Sequence, residues 1–270
     1  MARALALCCA VLSAGCLTID SVITVQPDGI GSVSYTLFLK STTIQSLEKF
    51  ATTRENRNDA QGWKDFFSEA KWREAASTMG EGVTFQSLQR MKKSGWEGVK
   101  VVYFFTDISK LTLKMGFPSV MSLTEPAPAS EALTFRFAPA AATPANLTIV
   151  MPSSRMRTER TDDAVLETDG ASIKRMAQAR WILESFRASV VVDVNGSIVN
   201  TTADYVSGSR ITVLAVDFNQ MMSSDADFEL FSAAIDGPVP PDIRERLKTT
   251  SGLSMQVAPE ATVQFGKLQN

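Results

Sequence analysis

LTIDSVITVQPDGIGSVSYTLFLK, residues Leu17–Lys40, is the stretch of the chain that decides its fold. Leu17–Gln26 sets apolar residues among polar ones, and Ser32–Lys40 alternates strictly, which is the period-two pattern of a half-buried strand. Between these runs, Pro27 presets its own φ and Gly29 tolerates a positive φ, so the segment favours a turn. The stretch therefore predicts a β-hairpin.

The rest of the chain carries further strand patterns separated by helical ones. An Asn-Gly dipeptide suits a two-residue turn, and it predicts a second hairpin between strands Ser189–Val194 and Ser197–Thr202. Val99–Thr106 and Arg210–Phe218 are strongly apolar and rich in β-formers, so we expect them inside a sheet. Further strands are predicted at Val83–Met91, Ala132–Ala138, Asn146–Met151 and Val257–Phe265, and helices at Thr42–Phe50, Trp63–Met79, Ser172–Arg187, Asp225–Ile235 and Pro240–Lys248.

These patterns predict an α+β protein with mainly antiparallel sheets and helices packed on one face. Val101–Leu111 and Thr212–Met222 share an order of apolar strand, aspartate and polar turn, which raises the possibility of two related αβ halves. Asp107 and Asp217 are then either a shared carboxylate pair or caps of the turns that leave each strand, and we favour caps. A subdivision, if there is one, is expected in the polar stretch at residues 153–170.

The first sixteen residues have the features of an export signal. Arg3 supplies a positive charge, Ala4–Leu12 is a short apolar core, and small residues lead into a cysteine. The core is too short to span a bilayer. We expect residues 1–15 to be a signal peptide and residues 16–270 to be the mature domain.

The end of this signal resembles the lipobox of bacterial lipoproteins. Leu12, Ser13, Ala14 and Gly15 precede Cys16, although the leucine lies one position further upstream than is usual. The resemblance implies that Cys16 is the lipidated first mature residue and that the protein contacts a membrane through this N-terminal anchor. The alternative is a soluble secreted protein that is cleaved near the same point.

The composition excludes several classes of chemistry. The chain has no histidine and a net charge of -2, and its three cysteines (Cys8, Cys9 and Cys16) all lie in the first sixteen residues. Histidine-based catalytic pairs and most transition-metal sites are therefore excluded. No polybasic field for nucleic acid is visible. We expect no cofactor, no metal site and no enzymatic activity.

Two further groups of residues are candidate sites. A basic group could contact anionic lipid, but interleaved acids make a solvated mixed surface the better interpretation. An aromatic group could line a ligand cavity, but aromatic residues at helical spacing are more often core. The basic group is Arg155, Arg157, Arg160, Lys174, Arg175, Arg180 and Arg187, and the aromatic group is Trp63, Phe66, Phe67, Trp72, Trp96 and Trp181.

The chain also resembles the LppM-type domain of bacterial lipoproteins. The basis is the cysteine followed by a strand pair in Cys16–Lys40, the Gly-Trp-Glu-Gly of residues 95–98 before an apolar strand, and the segment Asp193–Asp217. The resemblance covers about half of the mature chain. It implies an α/β envelope domain with a lipid-binding role and no catalytic residues.

Three functions follow in order of preference. The first is a non-enzymatic envelope module that binds a lipid, a glycan or an envelope protein. The second is a structural or assembly lipoprotein that docks partner proteins, and the third is a carboxylate-dependent cell-wall hydrolase. Leu17 occupies the position where an aspartate would signal retention in the inner membrane. We therefore expect the outer membrane where the cell has one, and otherwise the outer face of the cytoplasmic membrane.

Overall fold

The computed structural model describes residues 17–45, 66–114, 132–139, 144–152, 186–227, 230 and 241–266. These residues form mainly strands with few helices, in agreement with the α+β class. The strands are β1 Leu17–Val25, β2 Gly31–Lys40, β3 Val83–Lys93, β4 Trp96–Phe105, β5 Thr112–Lys114, β6 Ala132–Ala138, β7 Ala145–Val150, β8 Arg187–Val194, β9 Ser197–Thr201, β10 Val206–Ser207, β11 Arg210–Asp217, β12 Leu253–Met255 and β13 Glu260–Gly266. The helices are α1 Glu69–Ala75, α2 Phe218–Met221 and α3 Pro241–Lys248, with 3-10 turns at Ala76–Thr78 and Ile108–Lys110 and further helical residues at 41–45, 225–227 and 230.

The first hairpin is confirmed. β1 and β2 pair antiparallel from Leu17 opposite Leu39 to Val25 opposite Gly31. In the turn, the Asp28 carboxylate accepts a hydrogen bond from the Ile30 backbone N–H at 3.1 Å. Buried and half-buried residues alternate along β1, so one face of the hairpin belongs to the core.

A larger sheet is built around this hairpin. Among the described residues it has eight strands, in the order β10-β11-β8-β1-β2-β4-β3, with β12 paired to β11. β4 lies between β2 and β3, and β11 pairs with β8, so both apolar strands are interior as predicted. The pairs in this sheet are antiparallel except for β1 and β8, which are parallel, so the sheet is mixed rather than purely antiparallel.

The predicted second hairpin is wrong, although both of its strands exist. β8 pairs with β1 and β11 in the larger sheet, whereas β9 pairs with β13 in a smaller sheet of order β5-β6-β7-β13-β9. Between them, the Asn195 backbone N–H donates to the Val25 carbonyl at 2.8 Å, and the chain crosses to the other sheet. Gly196 makes the crossing possible, because its φ is +154° and a Cβ there would lie 2.0 Å from the Gly266 carbonyl oxygen.

Apolar residues of both sheets form one hydrophobic cluster. On the larger sheet it takes alternate residues such as Ile23, Val33 and Val101, and on the smaller sheet Leu147 and Val263. These five side chains are at most 1% exposed. Burial of such aliphatic side chains is the main stabilising contribution to folding.

The helical predictions are confirmed in part. The helix expected at Trp63–Met79 is shorter: α1 begins after Ser68, whose hydroxyl accepts from the Lys71 N–H at 3.4 Å, and the chain then tightens into a 3-10 turn. α3 begins at Pro241 as expected. The predicted helix at residues 172–187 and the polar stretch at 153–170 lie almost wholly outside the described residues, and the expectation that helices cover one face stays a prediction.

Candidate functional site

The predicted lipidation residue, Cys16, lies outside the described residues. The next residue, Leu17, is the first residue of β1 and is buried. β1 is itself an interior strand, with β2 on one side and β8 on the other. The described fold therefore begins one residue after the predicted anchor, in the middle of the larger sheet.

Asp107 and Asp217 do not form a carboxylate pair. Asp217 is opposite Arg187, which is aligned with Thr18 at the start of β1. Asp107 follows Phe105, which is opposite Gly31 at the other end of the hairpin. The two aspartates therefore lie at opposite ends of the larger sheet.

Each of these aspartates instead caps the turn that follows its strand. An Asp107 carboxylate oxygen accepts from the Ser109 N–H at 2.8 Å, and an Asp217 oxygen accepts from the Asn219 N–H at 3.1 Å. The two segments thus share a local device, a strand that ends in a capped helical turn. The interpretation as caps is confirmed.

The aromatic group does not assemble into one cavity. Phe66 and Trp72 are buried in the core, Phe67 packs against it, and Trp63 and Trp181 lie outside the described residues. Trp96 is the first residue of β4 and lies opposite Lys40. The interpretation as core is therefore confirmed for the residues near α1, and Trp96 is separate from them.

A tyrosine pair that the sequence did not single out lies beneath α1. The Tyr103 hydroxyl donates to the Trp72 carbonyl at 2.7 Å, and the Tyr35 ring lies 6.1 Å from the rings of both residues. Burial raises the pKa of the Tyr35 phenol well above its ordinary value. Burial, and then the neighbouring Tyr35, raise the pKa of the Tyr103 phenol in the same direction. Both phenols are consequently neutral in the folded protein. The Tyr103 hydroxyl holds α1 on the sheet by its hydrogen bond, and the Tyr35 ring packs between Tyr103 and Trp72.

The opposite face of the larger sheet is rich in hydroxyl and carboxylate side chains, and we call it the polar face. Its members are aligned by the strand register across β8, β1 and β2, and they are half-buried with two exceptions, Arg187 (exposed) and Val191 (buried). They are Thr18, Asp20, Val22, Thr24, Ser32, Ser34, Thr36, Phe38, Arg187, Ser189, Val191 and Asp193.

Cross-strand contacts fix the charged groups of the polar face. The Ser189 hydroxyl donates to the Asp20 carboxylate at 2.6 Å. Arg210 donates two hydrogen bonds to Asp193, at 2.9 and 2.7 Å, and these hydrogen bonds, together with the carboxylate charge, raise the pKa of the Arg210 guanidinium. The face thus offers positioned hydroxyl and carboxylate groups for hydrogen bonding.

Of the basic residues that were candidates for contact with anionic lipid, Arg187 lies among the described residues. Its guanidinium lies 2.9 Å from the Asp217 carboxylate and is more than half exposed. Since this charge is paired on the same face, Arg187 belongs to a mixed charged surface. The other six members of the group lie outside the described residues.

A separate polar cluster holds the two sheets' connecting segments together. The Asp204 N–H donates to the buried Gln256 side-chain carbonyl at 2.9 Å, and the Asp204 carboxylate lies 3.2 Å from the Lys248 ammonium. Hydrogen bonds to Glu245 and Asp204 raise the pKa of that ammonium. Because these contacts tie the start of β10 to α3 and β12, the cluster is a structural joint.

Two further features of the described residues concern metals and membranes. Over these ranges no three histidine, cysteine, aspartate or glutamate side chains come together in a way that could hold a metal ion. The same part of the chain contains no helix of the length and apolarity needed to cross a membrane.

Comparison with known proteins gives a distant structural likeness. Neither a protein-family model nor a curated protein matches the sequence. A solved structure resembles this chain distantly. It is the NMR structure of the folded domain of Mycobacterium tuberculosis LppM, at 10% identity and a TM-score of 0.32, with 93% of this chain and 91% of that chain covered. It is a domain of the type that the sequence resembles.

Proposed function

We propose that this chain is a lipid-anchored protein of the bacterial cell envelope. The observation that carries the proposal is the small-residue run that ends in Cys16, directly before the buried first strand of the larger sheet. A diacylated or triacylated cysteine would hold the domain at a membrane surface, since two or more acyl chains give stable anchoring. The mature domain would then begin at its lipid.

The domain's proposed role is to bind an envelope lipid, a glycan or an envelope protein, without catalysing a reaction. Support comes from the polar face, where Asp20, Ser189 and Asp193 are positioned by cross-strand hydrogen bonds and ion pairs. The hydrolase hypothesis loses its one candidate carboxylate pair, because Asp107 and Asp217 lie at opposite ends of the sheet. A docking role for partner proteins is the alternative that stays open.

The test is the intact mass of the protein purified from its native membrane fraction. We expect a mass that lacks residues 1–15 and carries acyl chains, and a Cys16→Ser variant that lacks the acyl addition. A second variant, Ser13→Leu, restores the more usual lipobox position and should be acylated at least as completely. A wild-type chain without acyl mass would refute the anchor, and the domain would then be treated as a soluble exported protein.

A further inference from the structure

One end of the larger sheet holds both the start of β1 and the turn that joins β3 to β4. Leu17 is opposite Leu39, and the next residue, Lys40, is opposite Trp96. Trp96 is in turn opposite Lys93, at the turn that joins β3 to β4. Because β1, β2, β4 and β3 are successive neighbours, this turn lies about 15 Å across the sheet from the start of β1. The residue after the predicted lipid and the β3–β4 turn thus occupy the same end of the molecule.

The side chains at this end, which we call the basic end, are cationic around one tryptophan. Lys40 and Lys93 flank Trp96 in three adjacent strands, with the Lys40 ammonium 5.5 Å from the Trp96 ring centroid. Lys92 is 80% exposed and lies 3.5 Å from Glu97. The three lysines and Glu97 give the basic end a local charge of +2 in a chain whose net charge is -2.

Protection of a sheet edge accounts for only part of this cluster. β3 is an edge strand, and lysines and bulges on such strands prevent pairing with other chains. β3 already has a bulge at Phe85/Ser87 and an exposed Arg90 farther along. Lys40, however, is on the interior strand β2, where no edge needs protection. Lys92 and Lys93 are on the edge strand, and Lys40 extends the charge across the end of the sheet to an interior strand.

We propose that the basic end rests on an anionic phospholipid surface. Lys40, Lys92 and Lys93 contact the phosphate headgroups, and the half-buried Trp96 lies at the headgroup level, where an indole finds both apolar and polar surroundings. The proposal rests on the proposed lipid anchor, because acyl chains on Cys16 hold the same end of the sheet at the membrane. Together the tether and the basic end fix the orientation of the domain, with the β1–β2 turn pointing away from the bilayer.

The experiment uses the full chain, purified with its acyl chains and inserted into vesicles of phosphatidylcholine with or without phosphatidylglycerol. A fluorophore is attached at Ser94→Cys, in the exposed β3–β4 turn, or at Gln26→Cys, in the exposed β1–β2 turn about 30 Å away along the strands. Quenching by a headgroup-labelled lipid then reports which turn meets the surface. Intact mass of each sample confirms acylation before the measurement.

We expect the Ser94 label to be quenched several-fold more than the Gln26 label when phosphatidylglycerol is present. Raising the salt from 0.1 M to 1 M shortens the Debye length from about 10 Å to about 3 Å and should release the turn. Lys93→Gln should lower the population in contact with the surface about five-fold. Lys110→Gln removes the same charge at the opposite end of the sheet and should leave the quenching unchanged.

The outcomes separate the two proposals. An acylated protein whose Ser94 and Gln26 labels are quenched equally overturns the orientation and leaves the anchor standing. Quenching at Ser94 that is the same without phosphatidylglycerol and insensitive to salt overturns the headgroup contact. A wild-type protein without acyl mass overturns the anchor, and the inference about the basic end with it.

Discussion

The Ser189 hydroxyl donates a 2.6 Å hydrogen bond to the Asp20 carboxylate, from the eighth strand to the first. The two residues are 169 positions apart in the sequence and directly aligned in the parallel β1–β8 pair. A parallel pair cannot be closed by a tight turn and depends on contacts between distant segments. This bond joins the two strands on the polar face, in addition to their backbone pairing.

Ser189→Ala should lower the free energy of unfolding by about 1 kcal/mol, because it leaves a half-buried carboxylate without its donor. Ser34→Ala, which removes a hydroxyl from the same face two strands away, should cost less than about 0.5 kcal/mol. Urea unfolding of the detergent-solubilised protein, followed by tryptophan fluorescence, measures both. Equal effects of the two substitutions would show that the Asp20 contact contributes nothing specific.

Gly196→Ala should destabilise the protein by about 2 kcal/mol or more. An added Cβ would lie 2.0 Å from the Gly266 carbonyl oxygen, at a φ of +154° that other residues rarely adopt. Gly208→Ala is the matched control, since its φ is +61° but no atom lies within 4 Å of the added Cβ. There only the backbone strain of about 1 kcal/mol is expected. A Gly208 variant as unstable as the Gly196 variant would contradict the proposed close contact, and urea midpoints decide between them.

The first hairpin was predictable because its information is local. Pro27, Asp28 and Gly29 specify a turn, and the alternation on either side specifies the buried face. The Asn-Gly pair at 195–196 carries an equally local signal, yet it directs the chain from one sheet to the other. β8 pairs with β1 instead of with β9. The sequence pattern of β1 does not indicate a parallel partner 169 residues later in the chain.

The same physics limits what could be predicted of the site. Cys16 is visible from sequence because a cleavage signal is a local pattern, and its lipidation stays a prediction. The polar face and the basic end depend on strand order, which brings Lys40, Trp96 and Lys93 side by side. The alternation in β1 and β2 did mark Asp20 and Thr36 as facing away from the core, and that signal could have revealed half of the polar face.

Asp107→Ala and Asp217→Ala should each cost about 1 kcal/mol, because each removes the acceptor that caps a helical turn. Since the residues lie at opposite ends of the sheet, the double variant should lose the sum of the two within about 0.5 kcal/mol. Asparagine at either position keeps an acceptor oxygen and should cost less. A coupling well above that limit, measured by urea unfolding, would indicate that the two carboxylates do interact.

Tyr103 and Tyr35 should make the protein sensitive to alkali. Burial raises the pKa of both phenols in the folded state, whereas in the unfolded chain they titrate near their ordinary value of about 10. Above that pH the unfolded chain releases protons that the folded protein retains, so stability is complete below about pH 10 and falls as the pH rises further. The slope should approach about 1.4 kcal/mol per pH unit for each phenol.

Tyr103→Phe separates the hydroxyl's two effects. At neutral pH it should cost about 1 to 3 kcal/mol, because the Trp72 carbonyl loses its buried donor. Above pH 10 its stability should fall less steeply than that of the wild type, by the contribution of one phenol, while Tyr35 supplies the rest. Urea unfolding at a series of pH values from 8 to 11 gives both quantities. A variant with the wild-type slope would mean that Tyr103 ionises as readily in the folded protein as in the unfolded chain.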